Sequence, residues 1–211
     1  MKKEIDLKKA SNAAVEIIAK EVAEDIRNGE IVIFPTETVY GIGADALNLK
    51  AVEMIFEIKG REKNKPLPIM IGNIKDVYKI ARDIPESFFS IAQKFMPGPL
   101  TVILRKKESI SDLITSGFDT IGIRMPNHNF ALPMIKYFGF PIVATSANLS
   151  GDSSPKNYKE TFKLKDLCHV GIDQGKSNEG VPSTIIDLSE EEPKILRQGT
   201  ITLKEILDII E

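Results

Sequence analysis

The order of apolar and polar positions predicts a chain in which helices and strands follow one another throughout. Apolar residues recur at helical spacing from residue 10 to residue 28, and Gly29 then suits a C-terminal cap. The apolar run 31–34 predicts a buried strand, whereas the two-glycine segment 36–48 predicts a loop. The same criteria predict further helices at 51–58, 75–80, 85–95, 130–137 and 203–210, and further strands at 67–71, 100–104, 121–124, 141–145 and near residues 170, 185 and 195.

This mixture of elements predicts an α/β fold. Several successive strands have no helix between them, and segment 170–196 is predicted to be antiparallel, so we expect a mixed sheet rather than a purely parallel one. The chain shows no repeat, low-complexity tract or clear linker, which indicates one domain over residues 1–211.

Composition and charge exclude several classes of protein. The formal net charge is −2, so the molecule as a whole does not attract nucleic acid. Cys168 is the single cysteine, which rules out an internal disulfide. No apolar run resembles a signal peptide or reaches the length of a membrane span, so we expect a cytoplasmic protein without membrane contact. The run 105–107, Arg-Lys-Lys, is typical of a solvated strand end, and an RNA-contact patch is the weaker alternative.

Three familiar motifs do not explain the chain. Segment 41–46 fits G-x-G-x-x-A, but Lys65 and Pro66 stand where a dinucleotide-binding protein needs an acid, so a glycine-bearing turn is favoured. His128 and His169 are far apart and outside any zinc-binding spacing. No Walker P-loop is present, and Cys168 is interpreted as a small core residue.

Polar side chains gather where predicted strands begin or end. Ligands of open α/β sheets often bind just beyond strand ends, where a rigid backbone holds several polar groups around one molecule. Arg124 is explained either by a salt bridge or by a functional guanidinium, and Ser146 and Asn148 either by capping or by a site. The strand-end residues are Thr36, Glu37, Thr38, Tyr40, Arg124, Thr145, Ser146, Asn148, Ser183, Thr184 and Arg197.

Four cations surround the helix stop at Gly60. Basic residues at a helix C-terminus favour the macrodipole, and this explanation suffices for a single pair. A cluster of four beside glycine and proline also suits a polyphosphate, because guanidinium and ammonium groups both bind phosphate oxygens. The cations are Lys59, Arg61, Lys63 and Lys65.

Seven motifs in order resemble the YrdC/TsaC family of threonylcarbamoyl-AMP synthases. Each motif alone is weak, but together they span most of the chain. Glu62 stands where the family commonly has proline after K-x-R, which leaves the following loop less well defined. The motifs are IFPTETVYGIGADA at 33–46, KGR at 59–61 with PL at 66–67, FMPGPLT at 95–101, IRMPNH at 123–128, ATSANLSG at 144–151, PSTI at 182–185 and LRQG at 196–199.

The resemblance implies a twisted, open, mixed α/β sheet with flanking helices around a central, positively lined cavity. It implies that threonine captures carbon dioxide from bicarbonate as a carbamate, which attacks the α-phosphorus of ATP and releases pyrophosphate. A partner protein would then transfer the threonylcarbamoyl group to adenosine in tRNA. The closeness of the chain's last residue to Arg197-Gln-Gly199 leads us to expect no additional C-terminal domain.

The resemblance also implies the residues that bind the substrates. No side-chain acid or base is assigned, and Mg²⁺ is expected to enter with ATP, held by phosphates and water rather than by protein ligands. The residues expected to bind ATP are Lys59, Arg61, Lys63, Thr120, Ser146, Asn148, Ser154 and Arg197, and those expected to bind threonine are Thr36, Arg124 and Ser183.

Two other functions remain open on the sequence. A carbamoyl-adenylate-forming domain, as in hydrogenase maturation proteins, has the same fold but belongs to longer chains with zinc-finger and acylphosphatase segments. A double-stranded RNA- or tRNA-binding module without catalysis predicts a broad basic face and aromatic platforms. Tryptophan is absent and the net charge is negative, which disfavours the second alternative but allows weak RNA binding.

Overall fold

One mixed sheet organises the part of the chain that the computed structural model describes, residues 3–210. Its strands are β1 Lys3–Asp6, β2 Val32–Phe34, β3 Gly41–Asp45, β4 Ile69–Met70, β5 Leu100–Arg105, β6 Thr120–Arg124, β7 Ile142–Ser146, β8 Val170–Asp173, β9 Thr184–Asp187 and β10 Lys194–Arg197. The helices are α1 Asn12–Arg27, α2 Leu49–Lys59, α3 Val77–Ile80, α4 Glu86–Phe95, α5 Asp112–Thr115, α6 Ala131–Phe138, α7 Phe162–Lys165 and α8 Leu203–Ile210, with 3₁₀ turns at Ile74–Asp76 and Tyr158–Thr161.

The strand order is β1-β8-β2-β3-β7-β4-β6-β5-β9-β10. Four neighbouring pairs are parallel, namely β1–β8, β8–β2, β4–β6 and β5–β9, and the other five are antiparallel. The sheet is therefore mixed, which confirms the predicted fold class.

Local sequence explains where the longer helices begin and end. The Ser11 hydroxyl caps α1 by accepting a hydrogen bond from the Ala14 amide at 3.3 Å. Gly29 follows this helix with φ of +85°, a conformation that glycine adopts without strain. Gly60 ends α2 in the left-handed region, with φ of +56°. The predicted glycine stops of both helices are confirmed.

The prediction of a loop over residues 36–48 is wrong for its second half, because residues 41–45 form β3 at the centre of the sheet. Glycine is unusual inside a strand, and here the Phe34 ring explains it. A Cβ at Gly43 would lie 3.1 Å from that ring and 2.7 Å from the Val143 carbonyl oxygen. Two glycines therefore let a large aromatic side chain pack directly on the β3 backbone.

The antiparallel prediction for residues 170–196 is half correct. Strands β9 and β10 are antiparallel, but β8 lies near the opposite end of the sheet, parallel to β1 and β2. Strand β1 was not predicted, because its sequence KEID is mostly charged and exposed. Charged side chains are common on short edge strands, where they discourage pairing with other chains.

The prediction that residues 105–107 are solvated is wrong for Lys106. Its ammonium is buried and donates hydrogen bonds of 2.8 Å to the Ile110 carbonyl and to the Asp112 carboxylate. Arg105 donates to the Ser189 carbonyl at 3.2 Å and pairs with Glu190 at 3.0 Å. These side chains therefore connect segments 110–112 and 189–190 to the end of β5.

Alternation along the strands produces a hydrophobic core on each face of the sheet. In β2, Ile33 packs into one core and Val32 and Phe34 into the other. Helices α1 and α6 cover the second face over β2, β7 and β8, but no residue of β5, β6 or β9 belongs to that core. The sheet face beyond β4 and β7 is therefore left open for a cavity.

Candidate active site

A cavity of about 280 Å³ occupies the open part of the sheet face. It combines an apolar floor with hydroxyl groups and guanidinium groups, a composition typical of ligand-binding sites. The lining residues are Thr36, Val39, Gly41, Arg61, Pro66, Leu67, Pro68, Met70, Thr101, Ile103, Gly122, Arg124, Ala144, Thr145, Ser146, Ser154, Pro182, Ser183, Ile185 and Arg197.

The period of two along β5 and β6 explains the cavity floor. Thr101 and Ile103 of β5 line the cavity, whereas Val102 and Leu104 point into the core beneath the sheet. Gly122 and Arg124 of β6 likewise face the cavity, while Ile121 and Ile123 belong to the core. A Cβ at Gly122 would lie 3.3 Å from Thr101 Cγ2, so glycine keeps the floor open at this point.

Arg124 is held in a buried network below one wall of the cavity. Its Nη2 donates to the Thr38 hydroxyl at 2.8 Å and lies 2.8 Å from Oε1 of Glu37. The Arg124 and Glu37 side chains are 8% and 6% exposed, so this ion pair is largely removed from water. Arg124 Nε is also buried and makes no hydrogen bond with any residue in the described range.

Thr36 forms a tight turn beside this pair. Its hydroxyl donates to the Val39 carbonyl at 2.6 Å and accepts from the Val39 amide at 3.2 Å. The same oxygen lies 3.0 Å from the Thr38 hydroxyl, which joins the turn to Arg124. The sequence TET at 36–38 thus places the Thr38 hydroxyl and the Glu37 carboxylate against a single guanidinium, with the Thr36 hydroxyl next to that of Thr38.

A second group of hydrogen-bonded polar side chains lies next to Arg124, which is opposite Thr101 in the β5–β6 register. The Ser183 hydroxyl lies 2.8 Å from the Thr101 hydroxyl and accepts a hydrogen bond of 3.1 Å from Arg197 Nη2. Arg197 Nε donates to the Ser183 carbonyl at 2.9 Å. Burial, and then the charge of Arg124, lowers the pKa of the Arg197 guanidinium. Two guanidinium groups therefore act on one another through the same cavity.

Arg61 reaches the cavity from the loop after α2. Its Nε and Nη2 donate to the carbonyls of Lys65 and Pro66 at 3.0 and 2.9 Å. These bonds fix the guanidinium against its own loop, and burial lowers its pKa. Arg61 is thus the third guanidinium that opens on the cavity.

Lys59 lies behind the cavity rather than in its wall. The side chain is buried, and its ammonium donates to the carbonyls of Ser146 and Asn148 at 2.5 and 2.6 Å. Burial, reinforced by the charge of Arg61, lowers the Lys59 pKa to about 7. In this geometry Lys59 fixes the backbone where β7 ends.

The loop that follows β7 forms another part of the wall. Ser146 and Ser154 line the cavity, and the Pro155 carbonyl accepts a hydrogen bond of 2.9 Å from the Tyr40 amide. Asn148 turns its amide inward to the Leu149 and Asp152 carbonyls, at 2.8 and 2.9 Å. The loop is therefore anchored at both ends of the segment that faces the cavity.

Seven of the eleven residues predicted to bind substrates line the cavity, and four do not. Lys59 is adjacent to it, as described above. Lys63 pairs with Glu53 at 2.7 Å on the outer side of α2, and Asn148 holds its own loop. Thr120 begins β6 opposite Arg105 and does not reach the lining. The residues that line the cavity are Thr36, Arg61, Arg124, Ser146, Ser154, Ser183 and Arg197.

Sequence reasoning did not assign a substrate to two polar residues of the lining, Thr101 and Thr145. Thr101 lines the cavity and is bonded to Ser183, yet it lies in a strand that reads as plain core. Its signal was alternation with Val102, together with its place at the end of the PGPLT motif. Glu37 was noted among the strand-end residues, and only the structure shows its pairing with Arg124.

Within residues 3–210, no group of three or more His, Cys, Asp or Glu side chains is arranged to hold a metal ion. In the same range, no helix combines the length and the apolar character that crossing a bilayer requires.

The model of the Sua5/YciO/YrdC family, described as "Telomere recombination", matches residues 24–199. The chain is 46% identical over 188 residues to a threonylcarbamoyl-AMP synthase of Pyrococcus abyssi, covering 88% of this chain and 55% of that protein. It is 41% identical over 192 residues to a threonylcarbamoyl-AMP synthase of Bacillus subtilis, covering 90% and 56%. The chain thus spans about half the length of these curated relatives.

The fold is also similar to solved structures. The crystal structure of P. abyssi Sua5 complexed with L-threonine superposes with a TM-score of 0.90 at 40% identity. The match covers 100% of this chain and 61% of that one. The sheet and the flanking helices described here therefore form a known fold.

Proposed function

Because the chain belongs to the Sua5/YciO/YrdC family, we propose that it makes L-threonylcarbamoyladenylate and pyrophosphate from L-threonine, bicarbonate and ATP. The product would supply the threonylcarbamoyl group for N6-threonylcarbamoyladenosine in tRNA, delivered by separate transfer proteins. This activity is that of an L-threonylcarbamoyladenylate synthase, a nucleotidyltransferase.

The observation that carries the proposal is the convergence of three guanidinium groups on one cavity. Arg61, Arg124 and Arg197 come from three distant parts of the chain and all line the same space. ATP, bicarbonate and the threonine carboxylate are anions that repel one another in water. Fixed cations in a partly desolvated cavity offset that repulsion and hold the reactants in contact.

Threonine is proposed to bind at the end of the cavity that contains Arg124. The guanidinium is suited to the amino-acid carboxylate, because charge-assisted hydrogen bonds to a fork of donors are strong and directional. Thr36 and Ser183 provide hydroxyl groups that line the same cavity. Supporting this arrangement, the relative solved as an L-threonine complex has the same fold at 40% identity.

ATP is proposed to bind at the end that contains Arg61 and Arg197. The cavity volume of about 280 Å³ is close to the lower limit for ligand pockets, so the adenosine would extend along the rim. Ser146 and Ser154 face this space, and bound phosphates would raise the lowered pKa of the buried Lys59 behind it, so that it gains its full positive charge. Lys63, Thr120 and Asn148 remain proposed ATP contacts that would require side-chain movement.

The proposed reaction requires the protein to position the reactants and involves no covalent intermediate with the protein. The neutral threonine amine adds to carbon dioxide and loses a proton, giving a carbamate. A carbamate oxygen then bonds to the α-phosphorus while the bond from that phosphorus to the bridging oxygen breaks, and pyrophosphate leaves. Mg²⁺ is proposed to arrive as part of the ATP substrate, held by phosphate oxygens and water.

One incubation tests the proposal. The protein is supplied with ATP, Mg²⁺, bicarbonate and labelled threonine, and pyrophosphate and a threonine-bearing adenylate are measured. We expect both products in equal amounts and neither when bicarbonate is removed. R61A should suppress them, whereas R82A should not, because Arg82 pairs with Asp83 and Asp119 at the surface. Full turnover in R61A would contradict the role proposed for Arg61.

The same assay separates the two alternatives. Adenylate formation from carbamoyl phosphate, without threonine or bicarbonate, would indicate a carbamoyl-adenylate-forming enzyme instead. Salt-dependent tRNA binding with no turnover of ATP would indicate an RNA-binding module. Localisation in the cytoplasm is likewise a proposal, which fractionation of cells that express the protein would test.

A further inference from the structure

Glu37 is a buried carboxylate that has no role in the reaction proposed above. Its side chain is 6% exposed and lies at the turn between β2 and β3. Oε1 is 2.8 Å from Arg124 Nη2, but neither carboxylate oxygen makes a hydrogen bond within the described residues. Burying a charged carboxylate without hydrogen bonds destabilises the folded protein, and a single ion pair seldom compensates for the lost hydration. Its presence therefore calls for an explanation other than stability.

The position of Glu37 relative to the cavity suggests that explanation. Glu37 does not line the cavity, but its partner Arg124 does. The Thr38 hydroxyl accepts a hydrogen bond from Arg124 and lies 3.0 Å from the Thr36 hydroxyl. Glu37 and Thr38 thus hold Arg124 Nη2 and fix the direction in which the guanidinium presents its remaining donors.

Charge gives Glu37 a second effect on the cavity. Arg61, Arg124 and Arg197 together would make a uniformly cationic space, which binds phosphate at any point. Within residues 3–210 the Glu37 carboxylate forms its ion pair with Arg124, so it offsets the charge of that guanidinium most directly. One end of the cavity is thereby less attractive to a polyphosphate and better suited to a zwitterion such as an amino acid.

We propose that Glu37 is a positioning residue that orients Arg124 and reserves this guanidinium for an amino-acid carboxylate rather than for phosphate. The inference rests on the proposed function, because it takes threonine and ATP as the two ligands. Glu37 acts through Arg124 and makes no contact with the reacting atoms.

The test is calorimetric titration of wild type, E37Q and E37D with L-threonine, and separately with ATP. Glutamine has the shape of glutamate and still offers Arg124 an oxygen, so the fold should persist, and E37D keeps the charge at a greater distance. We expect E37Q to bind threonine about ten-fold more weakly, as expected when one charge-assisted contact is lost, and E37D to recover part of the affinity. ATP affinity should stay equal or increase.

Threoninamide separates positioning from a general structural effect. It lacks the carboxylate that Arg124 is proposed to bind, so E37Q and wild type should bind it equally weakly. The E37Q and R124K substitutions should also be non-additive for threonine, because both act on one contact. D173N is the matched control, since Asp173 is a buried carboxylate that pairs with Lys8 at 2.9 Å outside the cavity lining. It should leave threonine affinity unchanged.

The outcomes distinguish this inference from the proposed function. Wild type that binds threonine, together with E37Q that binds it equally well, would overturn the role of Glu37 alone. Equal losses of threonine, threoninamide and ATP binding in E37Q would show a merely structural role and overturn it as well. Wild type that binds no threonine, with or without ATP, would overturn the proposed function together with this inference.

Discussion

Replacing Lys59 with methionine tests what a buried ammonium does behind the cavity. The substitution keeps an unbranched side chain of similar length and removes the donor to the Ser146 and Asn148 carbonyls. The Ser146 carbonyl keeps a hydrogen bond of 3.0 Å from the Asn148 amide, so the larger loss falls on the Asn148 carbonyl. A part-buried carbonyl left without a donor destabilises the fold by about 1–3 kcal/mol. We therefore expect K59M to be less stable than wild type wherever Lys59 is neutral in both the folded and the unfolded state.

The pH dependence has a definite sign. The pKa of Lys59 is lowered from 10.5 to about 7 by burial, and next by the charge of Arg61. Between these values the unfolded chain binds more protons than the folded protein, so the free energy of unfolding rises with pH. The slope is about 1.4 kcal/mol per pH unit well above pH 7, and it is smaller near pH 7, where the folded group is half protonated. The rise from pH 7 to pH 9 is thus about 2 kcal/mol.

Urea unfolding of wild type and K59M at pH 7, 8 and 9 measures this effect. Other titrating groups are common to both proteins and cancel in the difference. The destabilisation by K59M should grow with pH by up to about 2 kcal/mol, because the two carbonyl acceptors favour the charged form and reduce the shift. A difference that stays flat would refute the reasoning, since Lys59 would then remain an ammonium throughout this range.

Three further predictions concern the ligands and the cavity wall. ATP binding at pH 8 should take up a proton in wild type but not in K59M, because nearby phosphates raise the pKa of Lys59. Proton uptake is measured from binding enthalpies in buffers of different ionisation enthalpy. Equal proton uptake in both proteins would contradict this prediction. S183A should weaken threonine binding about ten-fold in calorimetry. It should also reduce the free energy of unfolding by about 1–2 kcal/mol, since it removes a hydroxyl that accepts a hydrogen bond from Arg197. Unchanged threonine affinity would exclude the hydroxyl as a ligand. G199A should destabilise the protein by about 1–3 kcal/mol in urea, because its Cβ would lie 2.4 Å from the Thr184 amide nitrogen, and wild-type stability would show that the backbone yields easily.

The sequence predicted the elements whose pattern is local. Helix α1 follows from apolar positions spaced for one face, and its end follows from Gly29. Strand β3 was not predicted, because its glycines indicate a loop when the sequence is considered locally. They are explained by the Phe34 ring, which packs on them from a neighbouring strand. The position of β8 beside β1 and β2 was similarly unpredictable, because a local pattern does not specify which strands become neighbours.

The candidate site divides in the same way. Arg124 and Ser183 were selected from their places at strand ends, and the structure brings both to the cavity. Thr101 was missed because one hydroxyl within an apolar strand has no local signal, and its role depends on Ser183, which is 82 residues away. Lys59 was expected to face phosphate, but two backbone carbonyls of a loop nearly 90 residues away hold it behind the wall.

The central claim is that threonine and ATP occupy one cavity side by side. A crystal structure of the protein with L-threonine, Mg²⁺ and a non-hydrolysable ATP analogue tests it most directly. We expect the threonine carboxylate on Arg124 and the phosphates between Arg61 and Arg197, with the amino group turned towards the α-phosphorus. Ligands bound on separate faces, or a triphosphate seated on Arg124, would contradict the account.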